Sequence, residues 1–179
     1  MKRMPRHTLW ISIAGVLAVS AYAALAAVQI LVLNPLAAAP GMTLEEIRAE
    51  MAAANESLGH QTVFFVLGIG VALAVGVAVV SMIAKAPPIV PGMSFLALLM
   101  CGVVGYFAAS FTAGMGLADT FGISGADYSP WALPLYGVSA GAAIVVIVCG
   151  IAMAMRNRTS TAPARDRSWN PALGPLGSD

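Results

Sequence analysis

Of 179 residues, 59% are apolar and only 9% charged, with a mean hydropathy of +0.86 and a net charge of +1. So little charge cannot solvate a soluble surface, and the length allows one domain, so an all-α membrane protein is expected. Both cysteines, Cys101 and Cys149, lie in apolar runs, which excludes a disulfide framework or zinc signature and leaves them as buried small hydrophobes. No cofactor, metal or nucleic-acid partner is expected.

The first apolar run, 8–33, is long enough to cross a hydrocarbon core of about 30 Å. A basic start and Ala21-Tyr22-Ala23 have the form of a cleavable signal, but the apolar character continues ten residues past that site, which favours a retained span. A Pro/Gly break over 34–41 then precedes Thr43-Leu44-Glu45-Glu46, which has capping-box form and predicts an amphipathic helix over 44–58 on the outer side. Leu44, Ile47, Met51 and Leu58 form its apolar face. His60 reads as an interfacial residue leading into the second span, 62–84.

Lys85-Ala-Pro-Pro-Ile-Val-Pro-Gly92 predicts a turn, because three prolines remove backbone donors and push their neighbours out of the α region. The third span, 94–117, carries Ser94, Cys101, Tyr106, Ser110 and Thr112, and polar groups avoid lipid, so it is expected to be the most enclosed helix. An outer loop over 118–134 leads to the fourth span, 135–155. The four spans form a transmembrane domain over 1–155. From 156 to 179 the Arg, Ser, Pro and Gly composition predicts a basic, disordered cytoplasmic tail, with Arg156, Arg158, Arg165 and Arg167 placed to meet lipid headgroups.

Eight of the nine Lys and Arg residues fall before the first span, in the Pro-rich turn or after the fourth span, and only Arg48 falls in the other two gaps. The positive-inside rule then puts both termini in the cytoplasm, in a bacterial plasma membrane by the Ala-rich, short-looped style.

Small residues recur at four-residue spacing at Gly68, Ala72 and Gly76, at Gly105, Ala109 and Ala113, and at Gly137 and Gly141. Such stripes admit close backbone approach, either within the bundle or against a partner subunit. Gly122-Ile123-Ser124-Gly125 has the form of the rhomboid protease nucleophile motif, but no histidine follows Ser124 and the segment reads as a turn. No Asp, Glu, Lys, Arg or His falls inside a predicted span, so the embedded Glu of small multidrug transporters, which also have four spans, is missing. Tyr22, Gln29, Tyr106 and Ser110 are polar groups within the first and third spans, suited to interhelical hydrogen bonds or a solute path. The leading expectation is a non-enzymatic accessory or assembly subunit, with the bilayer and another membrane protein or a second copy as partners. The alternative is a small oligomeric channel or transporter, ahead of a lipid- or quinone-linked enzyme.

Overall fold

The computed structural model describes residues 6–160, and among these the regular structure is entirely helical. Four helical stretches are long and apolar enough to cross a membrane: Arg6–Ala38, His60–Ile83, Ile89–Phe121 and Ala132–Arg156. Residues up to Val146 form one compact unit, and from Ile147 onward the chain forms a second.

The first stretch is built of α1 (Arg6–Val28), a π turn (Gln29–Leu33) and α2 (Asn34–Ala38), so the helix runs five residues past the predicted span and through Pro35. The π turn accommodates that proline. Pro35 has no N–H to give, and the widened turn sends the Asn34 N–H to the Gln29 carbonyl, five residues back. One face of α1 is buried along its length by Thr8, Ser12, Gly15, Val19, Tyr22 and Ala26, at alternating four- and three-residue spacing.

The capping box is present at α3 (Leu44–Ala53): the Glu46 N–H donates to Thr43 Oγ1, and Glu46 Oε2 accepts from the Thr43 N–H at 2.7 Å. The Thr43 N–H, with the Thr43 hydroxyl donating to the same oxygen at 2.9 Å, holds the Glu46 carboxyl below the usual carboxylate range. α3 ends five residues sooner than expected because Asn55 takes a left-handed conformation, with the Glu56 N–H on the Met51 carbonyl and the Asn55 N–H on Ala52. This is a Schellman stop with Asn in the glycine position. Ile47, Met51 and Leu58 are buried, so the apolar face packs as expected, and Met51 lies against Gly116.

α4 (His60–Ile83) stops in the same way, with Lys85 left-handed and the Ala86 N–H on Ser81. The Pro-rich turn is shorter than expected, since α5 (Ile89–Met100) begins inside it and carries Pro91 in its first turn, where no N–H is needed. Thr8 Oγ1 donates to the Ala86 carbonyl at 3.1 Å and ties the turn to the start of α1. α5 breaks at Cys101 and resumes as α6 (Gly102–Phe121), so the third stretch is two helices instead of one. α7 (Ala132–Ser160) starts three residues early, with Pro134 in its first turn, and continues helical past Arg156 and Arg158. Arg165, Arg167 and the rest of the proposed tail lie outside the described residues.

The third stretch is not the most enclosed. A third of the apolar window of the first stretch is buried, against 17% for the third. Two of the hydroxyls that suggested enclosure are satisfied on their own helix, since Ser94 Oγ donates to the Val90 carbonyl and Ser110 Oγ to the Phe107 carbonyl; Thr112 is exposed, and of the four only Tyr106 is buried. A hydroxyl bonded to its own helix gains nothing from burial.

Candidate functional site: a carboxylate clasped by two tyrosines

The feature that gathers most polar groups is the loop 122–131, which does not stand clear of the helices. Gly122, left-handed at φ +65°, closes α6 and lets the chain reverse. The loop then runs back along α6 so closely that a Cβ on Gly114 would sit 3.4 Å from the Gly125 carbonyl oxygen. Asp127 there meets the hydroxyl of Tyr106, which lies 15 residues before the end of α6.

Two tyrosines clasp Asp127. Tyr106, on α6 and 1% exposed, donates its hydroxyl to Oδ1 at 2.6 Å, and Tyr136, on α7, donates to Oδ2 at 2.6 Å. Their rings meet edge to face, with centroids 5.7 Å apart. Each carboxyl oxygen of Asp127 thus accepts one phenol hydroxyl. Among the described residues the carboxyl has no Lys or Arg partner.

The π turn positions the remaining anchors. Asn34 Oδ1 accepts the Tyr128 N–H at 2.7 Å and the Ser129 N–H at 3.4 Å, and the buried Gln29 donates a long 3.4 Å bond to the Ser129 carbonyl. Among the described residues Gln29 Oε1 is left without a partner. Ser124 Oγ pairs with the Tyr128 hydroxyl at 2.9 Å, so the Gly-x-Ser-Gly segment is a turn. Beside Asp127 lies a pocket of about 260 Å³ between α6 and the loop, bordered by Phe107, Phe111, Met115 and Tyr136.

A second polar knot lies at the α5–α6 break. Ser139 of α7 donates to the Leu99 carbonyl at 2.8 Å, which leaves its oxygen to accept from the Tyr22 hydroxyl at 3.2 Å. A neighbouring helix thereby satisfies a carbonyl at the broken ladder. Gly102 makes the fit, because a Cβ there would stand 2.8 Å from the Tyr22 ring. Cys101 is exposed at the break, contrary to the buried role expected of it, and Cys149 is half-buried.

The small-residue stripes divide. Ala109 and Ala113 are 0% and 2% exposed inside the bundle. A Cβ at Gly68, Gly76, Gly105, Gly137 or Gly141 would meet nothing within 4 Å, and Ala72 is exposed. Sequence reasoning missed the clasp because Asp127 was read as part of a free loop. The signal available was Gly114 and Gly125, two residues without side chains where the chain doubles back. Comparison with known proteins finds no family model, curated protein or solved structure that matches this chain.

Proposed function

We propose that the chain is a non-enzymatic accessory or assembly subunit of a larger membrane complex, inserted in a bacterial plasma membrane with both termini cytoplasmic. The observation that carries this reading is the exposed stripe Gly68, Ala72 and Gly76 on α4, where a Cβ added at either glycine would meet nothing within 4 Å among the described residues. Glycine weakens a helix interior, and in lipid its compensating use is to let a second backbone approach. Gly137 and Gly141 on α7 offer a second open face of the same kind.

Purification in mild detergent should bring down a companion membrane protein. The pair Gly68→Leu and Gly76→Leu should release it while the chain still inserts, and Val79→Leu, on an exposed aliphatic position, should not. Recovery of the chain without any companion, or a companion retained through the glycine changes, refutes the reading. Orientation rests on the eight-to-one placement of Lys and Arg. With Cys101 and Cys149 replaced by Ser, cysteines at the exposed Ser57 and Ser124 should react with an impermeant thiol reagent in intact cells, and one at Ser160 should not.

A further inference from the structure

We propose that the pocket beside Asp127 binds a small organic ammonium ion, with the carboxylate facing its charge and the rings of Phe107, Phe111 and Tyr136 facing its alkyl groups. Three observations converge on this chemistry. The first is a negative charge that the chain fixes without neutralising. Two phenol hydroxyls at 2.6 Å hold the carboxylate in place, but neither carries a positive charge, and no basic side chain among the described residues pairs with it.

The second is the wall of the pocket. Phe107 and Phe111 are 66% and 57% exposed, one helical turn apart, with centroids separated by 6.1 Å and planes at 57°. Tyr136 borders the same space, and its hydroxyl is already committed to Asp127, so the ring is what it offers the pocket. Aromatic faces around a carboxylate suit a cation whose charge is spread over alkyl groups, since ring quadrupoles attract positive charge without having to supply lone pairs.

The third is that few side-chain oxygens remain to ligate a hard ion. Asn34 Oδ1 already accepts two loop N–H groups, which leaves the Ser110 hydroxyl, itself donating to the Phe107 carbonyl, beside the carboxylate. A hard inorganic cation takes about six or more oxygen ligands. Among the described residues no three His, Cys, Asp or Glu side chains come together to provide them. The volume of about 260 Å³ admits an ammonium headgroup. The same chemistry is found in a free quaternary or primary amine and in the headgroup of a choline or ethanolamine phospholipid.

The test uses the full chain in maltoside detergent, which carries no ammonium group. Calorimetric titration with choline should give saturable binding, and the uncharged carbon isostere 3,3-dimethylbutan-1-ol should bind about tenfold or more weakly. Asp127→Asn should weaken choline binding by a similar factor. Because that change also touches the loop anchor, the decisive variant is Phe111→Leu, on an exposed position that leaves the clasp intact. It should weaken choline severalfold with the helical circular dichroism unchanged.

In nanodiscs containing equal phosphatidylcholine and phosphatidylglycerol, native mass spectrometry assigns the source. Retained phosphatidylcholine that Phe111→Leu releases identifies a lipid headgroup, and saturable choline binding without lipid retention identifies a soluble amine. Either result supports the site. The proposal is overturned if neither choline nor phosphatidylcholine is held, if the neutral isostere matches choline, or if Phe111→Leu changes neither.

Discussion

Replacing Gly15 by alanine tests whether α1 is the enclosed helix. A Cβ at that position falls 2.2, 2.3 and 2.6 Å from Cδ2, Cγ and Cε2 of Phe95, whereas carbon atoms settle at about 3.5–4.0 Å. The ring must therefore retreat by over about 1 Å. It has little room, since Phe95 is 4% exposed and packs in one cluster with Val19, Ala74 and Ala78. Overpacking of this kind costs about 1–3 kcal/mol, and alanine returns at most about 1 kcal/mol of helix propensity. Gly15→Ala should thus destabilise the chain by roughly 1–2 kcal/mol. Gly68→Ala, where nothing lies within 4 Å, should be neutral or stabilising by up to about 1 kcal/mol. The two signs can be read from reversible unfolding in mixed micelles, titrating SDS and following circular dichroism. Phe95→Leu combined with Gly15→Ala should recover part of the loss, which a double-mutant cycle isolates as a coupling between the two positions. If Gly15→Ala unfolds at the parent midpoint, or if Phe95→Leu shows no coupling, the packing of α1 against α5 is not as described.

Ser139→Ala should lower stability by about 1–3 kcal/mol, because it strands the Leu99 carbonyl and the Tyr22 hydroxyl together, and Ser139→Thr should restore most of it in the same titration. Tyr106→Phe should loosen the returning loop, seen as faster hydrogen exchange at Ala126–Ser129, while the same change at Tyr128, whose hydroxyl bonds only to Ser124 within the loop, should have a smaller effect. The lowered Glu46 carboxyl means that the cap of α3 is at full strength above the usual carboxylate range and fades as pH falls through Glu46's own depressed value. The protection factors of the Glu46 and Ile47 amides, taken relative to intrinsic exchange at each pH, should fall in acid, and Glu46→Gln should flatten that dependence.

The long apolar runs and the Thr43 capping box were legible in the sequence because each rests on short-range pattern: run length, spacing and a side chain reaching its own backbone. Helix ends were less legible. Pro35, Pro91 and Pro134 each read as breaks, yet each sits where a missing N–H does no harm, in a first turn or after a widened one. Asn55 and Lys85 stopped helices from left-handed positions that no glycine marked. Facing was harder still. Gly68 and Gly15 belong to similar small-residue patterns, and only the path of Phe95 decides that one is filled and the other open. The clasp depended on contacts between residues 21 and 95 positions apart, which periodicity cannot register.

The π turn at Gln29–Leu33 gives the first helix one more residue than regular winding needs. Five residues wound at the wider pitch turn the chain about as far as four wound as α-helix, so the extra residue is absorbed where it stands and the helix on either side keeps its facing. Removing one residue from this turn should let the hydrogen-bond ladder close regularly with Asn34 still under the Tyr128 and Ser129 amides. What a single-codon deletion takes away is the room that the widened turn gives Pro35, so it separates the cost of seating that proline from the attachment of the loop that carries Asp127.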